Sequence, residues 1–486
     1  MKKKSKKVKA SKDINHKNKS IKKIIGWWLL LSTLFIGYRT YELAAAPAES
    51  KKCNFTYPFE YKWNVVNIDI QTDKNSNLNI TQEWGFMNDA SCLNKTPVYA
   101  VAHISTQEDI ETAIAFAKKN NLKISPAGKQ HTMWGHTFSE GGLVLDMKGY
   151  KHVSVDQENM IMKVESGATW QHVQQVLDPL DLAVKSMQSI NLFTIGWSLS
   201  ANAHGIAHNP GQIAPTIVSM RVMLASWEII ETSPTKNSEL FGAVLGGYGL
   251  HGIILDVVFN IVPNEMYAWE KSYIDYTEFW EYYKNNVIWN DDVALFYGRL
   301  SIAPGKNYLR ETAIHKYSTT IDQEIIPLKP ASKVAIKRLI FNFSKTGDIG
   351  RWLRWFLEKN VESGGHTCVS RNEAMSDSDE IVCLASRNQK MNQAMEYLDN
   401  KQQDTNILQE YFIPLENTTW FIDDLRDIVS NSETNLLNVT IRIVTKDTIT
   451  ALPYAKDDRI AFVLYFNQKL NEEDSQKLEV VTKELI

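Results

Sequence analysis

Residues 125–146 read SPAGKQHTMWGHTFSEGGLVLD, which is typical of the end of one strand, a polar loop that contains a glycine, and the start of another strand. Because Gly128 has no side chain, several backbone N–H groups of such a turn can point inward and form a concave anion site. His131 places a nucleophilic imidazole at the centre of this loop. We therefore expect the loop to hold the phosphates of a cofactor.

The residues before this loop predict a β-α-β unit. Val98–His103 is a short apolar strand, and Leu122–Ser125 resumes as a strand that leads into the loop. Between them, Ser105, Thr106 and Glu108 indicate a helix start with a capping box. The residues expected on the buried face of this helix are Ile110, Ala113, Ile114 and Ala117, with Asn120 and Asn121 at its end. This context favours a nucleotide-binding fold.

The loop resembles a known flavin-binding motif. Residues 128–132 read GKQHT, where flavoproteins of the vanillyl-alcohol oxidase and p-cresol methylhydroxylase type (PCMH type) commonly have Gly-x-Gly-His-Ser. The resemblance is to their aldonolactone and alditol oxidase branch, and it departs from the pattern at Gln130 and Thr132. It implies FAD as the cofactor and His131 as the candidate for a covalent bond to the flavin, with His136 as a nearby alternative.

Two further segments extend the resemblance over about residues 97–263. Residues 193–205, FTIGWSLSANAHG, resemble the second flavin-contacting loop, with Trp197 where a second glycine is usual. Residues 239–258 resemble the glycine-rich turn that closes the flavin site. The cofactor-binding residues implied by the resemblance are Ala127, Gly128, Lys129, Gln130, His131, Thr132, Thr194, Gly196, Ser198, Asn202, His204, Gly205, Gly249, Gly252 and Ile253.

The glycine-rich turn within residues 239–258 also contains a dinucleotide-binding sequence motif. Residues 247–252, GYGLHG, match G-x-G-x-x-G, which in a Rossmann fold follows a strand and opens a helix. Here Ser238–Leu245 is expected to be helical, and Ile253–Val262 is rich in strand-forming residues. Since this order is reversed, we expect the glycines to let the chain pass close to a flavin nucleotide and not to bind a nicotinamide cofactor.

The chain of 486 residues divides into segments of different character. Residues 1–23 contain eleven lysines and one aspartate, so they carry a charge of +10 while the remainder carries −13. Such a body is a poor partner for nucleic acid. We expect a basic cytoplasmic tail (1–23), a membrane segment (24–46), an extension (47–95), the FAD-binding domain of two α/β subdomains (96–263) and an α+β substrate cap domain (264–486). The fold class is α+β.

The membrane segment centres on Ile24–Tyr38, an apolar run that follows the lysines and ends at Arg39. It is short for a bilayer span but extends to Ala46 if Arg39 snorkels or the segment tilts. Ala44 and Ala46 also form an A-x-A cleavage pattern, so a removed signal peptide is the alternative to an uncleaved anchor. In both cases we expect the body outside the cytoplasmic membrane, either anchored or, after cleavage, secreted or periplasmic.

All four cysteines lie beyond this segment, and their even number is compatible with export. Pairing Cys53 with Cys92 and Cys368 with Cys383 is the local option, and four free buried thiols are the alternative. No C-x-x-C spacing occurs, and we expect no metal site.

The last part of the chain predicts a sheet covered by helices. Asn406–Pro414 and Leu436–Val444 are expected to be strands, with Trp420–Ile428 helical between them. The second strand resembles the family segment that supplies an arginine facing the flavin, and Arg442 matches that arginine. Thr440 stands where a glutamate occurs in some members. The resemblance makes these two the candidate catalytic residues, and a solvated edge-strand charge is the alternative for Arg442.

The C-terminal helix is expected over Glu472–Ile486, where the chain stops. Relatives normally continue into a terminal segment that returns to the flavin domain, so we expect a truncated or divergent cap domain.

The resemblance implies an FAD-dependent enzyme that oxidises a hydroxyl-bearing carbon of a sugar lactone, polyol or related alcohol by hydride transfer to flavin N5. The implied partners are this small-molecule substrate and an electron acceptor, oxygen or a quinone. Two alternatives stay open: a flavin reductase or non-sugar oxidase on the same fold, and a membrane-anchored scaffold with a vestigial flavin domain.

Overall fold

The computed structural model describes residues 37–38, 40–41, 43, 79–81, 85–133, 135–330, 333–360, 367–375, 381–391 and 404–486. The strands are β1 (Ile80–Thr81), β2 (Phe86–Met87), β3 (Thr96–Pro97), β4 (Ala100–His103), β5 (Ile124–Ala127), β6 (Leu143–Asp146), β7 (Val153–Asp156), β8 (Ile161–Glu165), β9 (Leu182–Val184), β10 (Ile217–Met223), β11 (Ile229–Thr232), β12 (Ile253–Pro263), β13 (Met266–Asp275), β14 (Val293–Leu300), β15 (Glu311–Thr319), β16 (Thr367–Ser370), β17 (Ile381–Ser386), β18 (Asp404–Pro414), β19 (Asn435–Val444) and β20 (Arg459–Lys469). The α-helices are α1 (Gln107–Lys119), α2 (Trp170–Leu177), α3 (Ile195–Ser200), α4 (Ser238–Val244), α5 (Phe279–Asn286), α6 (Val334–Ser344), α7 (Asp348–Asn360), α8 (Arg371–Met375), α9 (Arg387–Met391), α10 (Thr418–Asn431) and α11 (Glu472–Glu484).

The first sheet has the order β1-β4-β6-β5, and β4, β6 and β5 run parallel. Helix α1 connects β4 to β5, so the predicted β-α-β unit is confirmed. Its capping box joins Thr106 to Asp109, and Glu108 occupies the first turn without being the capping residue. All four predicted apolar residues of the helix are buried. The phosphate-loop candidate begins directly after β5, at the carboxyl end of the parallel strands.

The second sheet has the order β11-β10-β12-β8-β7 with antiparallel pairing, and β9 pairs with the far end of β12. Its core contains Trp170 of α2, Leu199 of α3 and Phe241 of α4. Burial of these large side chains against one face of the sheet fixes the helices that carry the second flavin loop and the closing turn. The two predicted α/β subdomains are therefore present.

The third sheet is antiparallel and has the order β16-β17-β13-β15-β14-β19-β20-β18. One face is covered by α5, α10 and α11, where Phe279, Phe421 and Phe462 belong to one core. Since side chains alternate along a strand, the neighbouring residues of β18, β19 and β20 project from the opposite face. That opposite face is directed toward the FAD-binding half of the molecule, and it supplies the floor of the cavity described below.

Cys368 and Cys383 form a disulfide between β16 and β17. This confirms one of the two predicted local pairs. Cys92 is also disulfide-bonded, and Cys53 lies outside the described residues. The alternative of free thiols is wrong for the described cysteines.

The predicted membrane segment, residues 24–46, lies almost entirely outside the described residues. Among the residues that are described, no helix has the length and apolar character needed to cross a bilayer.

Candidate functional site

A cavity of about 1560 Å³ lies between the loops of the two α/β subdomains and the face of the third sheet opposite α5, α10 and α11. Pockets for one small ligand usually measure roughly 300–1,000 Å³, so this cavity has room for a dinucleotide together with a second molecule. The predicted residues that line it are Ala127, Gly128, Lys129, Gln130, His131, Thr132, Thr194, Gly196, His204, Gly249, Gly252, Ile253 and Arg442.

The first wall is the loop after β5. A side chain at Gly128 would place a Cβ atom 2.1 Å from Oγ1 of Thr194, so the first and second flavin loops touch at a point where only glycine fits. Gln130 adopts a φ of 59° and therefore takes the left-handed conformation that the usual glycine would take. The amides of residues 128–130 donate no hydrogen bond to any described residue. This loop is thus an open cradle of N–H groups, which fits the phosphates of FAD.

Two histidines of this loop line the cavity. The His131 ring lies 4.5 Å from the ring of Phe193, and Phe193 lies 4.6 Å from the ring of Trp197. The His136 ring meets Tyr248 edge-on at 5.6 Å. Both imidazoles therefore border the space available to a flavin, and Trp197 fills the position of the usual second glycine with an aromatic contact.

The second wall is the loop that leads into α3. The Gly196 amide donates to the Ser166 carbonyl at 2.8 Å, and a Cβ at Gly196 would lie 3.1 Å from the Ser166 side chain. Thr194 precedes the helix, and its hydroxyl makes no capping bond. The segment is held tightly against β8 because the glycine permits this approach.

Three residues expected to bind the cofactor through this segment do not line the cavity. The Ser198 hydroxyl accepts from the Trp170 indole at 2.9 Å and donates to the Thr194 carbonyl at 3.0 Å, so it joins α2 to α3. Asn202 is buried and donates to Asp447 at 3.1 Å. A Cβ at Gly205 would lie 1.9 Å from the Met187 carbonyl oxygen. These three residues pack behind the cavity wall. The resemblance to the family motif could not distinguish such packing residues from residues that line the cavity.

The third wall is the closing turn between α4 and β12. Gly249 and Gly252 have φ values of 79° and 135°, and both line the cavity. A helix precedes the turn and a strand follows it, so the reversed order predicted from the sequence is confirmed and the motif is not a Rossmann site. Apart from its two chain neighbours, no described residue has an atom within 4 Å of a Cβ built on Gly249, which leaves the backbone open to a ligand.

The floor of the cavity carries a cluster of polar groups. Nε2 of His204 lies 3.0 Å from Oε2 of Glu410, and Nη1 of Arg442 donates to the His204 carbonyl at 3.4 Å. The Tyr454 hydroxyl donates to the Asn202 carbonyl at 2.6 Å, and its ring stacks on Phe412 at 4.3 Å. The cluster thus combines a cation, a carboxylate and an imidazole beside an aromatic surface.

The electrostatics of this cluster keep Glu410 ionised. Burial alone would raise the pKa of this carboxyl, but the charge and hydrogen bond of His204 and the charge of Arg442 outweigh it, so the pKa lies below its ordinary value. Burial lowers the pKa of Arg442, which nevertheless stays a cation because guanidinium does not deprotonate in proteins. Burial and then the negative charge of Glu410 raise the pKa of Tyr454 well above its usual range, so the phenol stays protonated.

Thr440 does not line the cavity, although it shares a strand face with Arg442. Its hydroxyl accepts from Asn438 at 2.8 Å, within a polar group that includes Arg299. Glu410 lies in the same transverse row as Thr440, because both are paired with Val463 from opposite sides. The carboxylate of the cavity floor thus lies two strands away from the predicted catalytic residue Thr440, about 10 Å across the sheet.

The comparisons with known proteins agree with this geometry. Residues 98–233 match the FAD binding domain family. The FAD-linked oxidoreductase hasG of Aspergillus fumigatus is 25% identical over 186 residues, which cover 37% of this chain and 40% of that protein. The L-gulonolactone oxidases of Scyliorhinus torazame and Mus musculus are 26% and 24% identical and are covered over 36% and 35% of their lengths, with 33% and 32% of this chain matched.

The match therefore spans well under half of the length of each of these relatives. The three loops that the sequence identified form three walls of one cavity, and their glycines and open backbone amides fit a flavin dinucleotide. Residues 98–233 are an FAD binding domain, the resemblance to PCMH-type, aldonolactone oxidase-like flavoproteins is confirmed, and FAD is the cofactor.

Proposed function

We propose that this FAD-dependent oxidoreductase oxidises a hydroxyl-bearing carbon of a sugar lactone, a polyol or a related alcohol. The observation that carries the proposal is the position of the His204–Glu410–Arg442 cluster on the floor of the same cavity whose walls are the FAD-binding loops. Hydroxyl-rich substrates need charged hydrogen-bonding partners of this kind. The names of the L-gulonolactone oxidases lend the substrate class further support.

When bound, FAD supplies the hydride acceptor, and the protein supplies position and charge. The amides of residues 128–130 and the turn at Gly249 hold the nucleotide. Glu410 is 29% exposed, and it accepts a hydrogen bond from the substrate hydroxyl. Because the carboxylate is ionised, it can accept the hydroxyl proton, while the hydrogen bond with His204 holds it in position. Arg442 provides fixed positive charge for any negative charge that develops at the floor.

A substrate panel tests this proposal. Purified enzyme is mixed anaerobically with aldonolactones, alditols and non-sugar alcohols while the visible flavin band is followed. We expect bleaching by members of the first two classes, with a large loss of rate in Glu410→Gln and a smaller change in Thr440→Ala, the matched control beside the cavity floor. Bleaching only by nicotinamide cofactors or by non-sugar alcohols would reject the substrate class. Reoxidation by oxygen and by a soluble quinone then identifies the acceptor.

We also propose that His131 attaches the flavin covalently. The imidazole lines the cavity against Phe193, in the loop whose amides are open to the phosphates. Acid denaturation is expected to leave yellow, fluorescent flavin on the polypeptide, and His131→Ala is expected to release it while His136→Ala does not. Release from the parent protein would reject covalent attachment but not FAD binding. A colourless protein that FAD does not reconstitute would favour the scaffold alternative.

Finally, we propose that the body lies on the extracytoplasmic side of the membrane, anchored through residues 24–46. The Cys368–Cys383 disulfide supports an oxidising compartment, and the lysine-rich residues 1–23 support a cytoplasmic N-terminus. Protease added to intact spheroplasts is expected to digest the body, and the N-terminal sequence of the mature chain distinguishes an anchor from a removed signal. Complete protection of the body in intact cells would reject the placement.

A further inference from the structure

The hairpin of α6 and α7, residues 334–360, has an apolar outer face. Ile349, Trp352 and Phe356 of α7 are 76%, 51% and 44% exposed. Their spacing of three and four residues places them in one stripe along the helix. The Trp352 and Phe356 rings stack at 5.4 Å, and Ile336 of α6 is 56% exposed as well. Contiguous exposed apolar side chains of this size mark an interaction site more often than scattered ones do.

Side chains on the inner face of α7 attach this helix to the third sheet. The Trp355 indole donates to Glu311 at 2.7 Å, and Nη1 of Arg354 donates to the Leu437 carbonyl at 2.9 Å. Both side chains are buried. The attachment of α7 therefore does not depend on the exposed stripe, and the apolar character of the stripe needs another explanation.

The hairpin is also basic within an acidic body. Residues 333–360 contain seven lysines and arginines and two acidic residues, a net charge of +5, whereas the chain after residue 23 carries −13. Lys333 and Lys337 are exposed beside Ile336. An exposed apolar and aromatic surface with nearby lysines is the composition of helices that lie in a membrane interface, and the exposed Lys333 and Lys337 complement anionic headgroups.

A contact of α6 places the hairpin close to the N-terminal apolar run. The Asn342 amide donates to the Leu43 carbonyl at 2.8 Å. Leu43 follows the last residue of the apolar run Ile24–Tyr38 by five positions, and five residues span at most about 18 Å. The chain segment with the strongest affinity for a membrane therefore ends within that distance of the hairpin.

We propose that the outer face of the α6–α7 hairpin rests on the surface of an anionic phospholipid bilayer. Trp352 and Phe356 lie in the interfacial region, where aromatic side chains are favoured, and Lys333 and Lys337 meet the headgroups. This inference rests on the proposed anchoring through residues 24–46: the apolar run restrains the protein near the bilayer, and the hairpin fixes which side of the protein faces it.

Photo-crosslinking in the full chain tests the proposal. The chain is reconstituted into nanodiscs of phosphatidylcholine with phosphatidylglycerol, with p-benzoylphenylalanine in place of Phe356 or, as the matched control, of Trp420. Trp420 is 62% exposed on α10, which covers the other face of the third sheet. After irradiation, mass spectrometry is expected to show lipid adducts at position 356 at least five-fold above those at position 420. Equal yields, or adducts to a second copy of the chain at position 356, would overturn the proposal.

A second comparison separates lipid contact from a general change in folding. With the probe in place of Trp352, the substitutions Ile349→Gln and Phe356→Gln are expected to lower the adduct yield several-fold, and removal of phosphatidylglycerol is expected to lower it further. The visible flavin spectrum confirms that these variants are folded. An adduct yield unchanged by both substitutions and by lipid charge would show that the stripe does not bind the bilayer.

Discussion

The contact between the first two flavin loops gives the sharpest prediction. In Gly128→Ala, the new Cβ would lie 2.1 Å from Oγ1, 2.7 Å from Cγ2 and 2.9 Å from Cβ of Thr194. The two loops would have to separate, and the amides of residues 128–130 would lose their arrangement around the phosphates. We expect this substitution to weaken FAD binding while the secondary structure of the chain is retained.

The magnitude follows from the cost of overpacking. Forcing one additional carbon into a closely packed contact costs roughly 1–3 kcal/mol. If this cost falls on the FAD-bound arrangement of the loops, FAD affinity decreases roughly 5- to 150-fold. Thr194→Gly removes every atom that overlaps the new Cβ, and glycine at a helix N-cap costs only a few tenths of a kcal/mol. The double variant is therefore expected to recover most of the lost affinity.

The assay is fluorescence titration of apoprotein with FAD in a double-mutant cycle. All four proteins carry His131→Ala, so that binding is reversible whether or not the histidine forms a covalent bond. Thr194→Ala serves as an intermediate, because it removes the two closest atoms and leaves Cβ at 2.9 Å. The reasoning would be refuted by unchanged affinity in Gly128→Ala, or by a double variant no better than the single one.

The remaining predictions concern other parts of the structure. Gln130→Gly is expected to raise the free energy of unfolding by about 0.5–1 kcal/mol, as measured by denaturant titration. The gain arises because a side chain in the left-handed region at φ 59° costs about 1–2 kcal/mol. The greater conformational entropy of glycine in the unfolded chain offsets part of this gain. Glu410→Gln is expected to lower the rate of flavin reduction by substrate roughly 100-fold and to cost about 1–3 kcal/mol of stability. The pKa of Glu410 is lowered from 4.5 in the folded protein, so its ionisation stabilises the fold fully above pH 4.5. This stability is lost as the pH falls through the folded-state pKa. Thermal unfolding measured over a pH series should therefore show a loss of stability at acid pH in the parent protein that the variant lacks. Cys383→Ser opens a disulfide loop with a separation of 15 residues and is expected to cost about 3 kcal/mol in thermal unfolding under non-reducing conditions; an unchanged midpoint would contradict it.

Local sequence patterns predicted the FAD-binding half well. The helix after β4 was recognisable from Thr106 and from four apolar residues on one face, and these are local properties of the chain. The order of helix and strand around residues 247–252 also followed from local composition, and it was enough to exclude a Rossmann site. In this half, local preference and tertiary packing agree.

The floor of the cavity was less predictable. Arg442 was recognised by resemblance, but Glu410 was missed because it belongs to another strand, and its distance from Arg442 depends on the pairing of β18, β20 and β19. The pattern of apolar and polar residues within one strand does not determine which residues of the neighbouring strands are paired with it. Alternation within β18 places Asn406, Leu408, Glu410 and Phe412 on one face, which was the available signal. Similarly, the buried roles of Ser198 and Gly205 arise from contacts with distant segments.

The hydrogen bonds between the FAD-binding half and residues 264–486 include one group around Asn388, which contacts Asp178 and Leu182, and a second group beside the cavity floor. His204 pairs with Glu410, Asn202 with Asp447 and Tyr454, and Gln212 with Thr445. A motion that widens the cavity to admit FAD or release product would break these bonds if it began at the floor. The bonds at the floor therefore hold the cavity closed against such a motion, and a substitution there would alter the rate of ligand exchange as well as the chemical step.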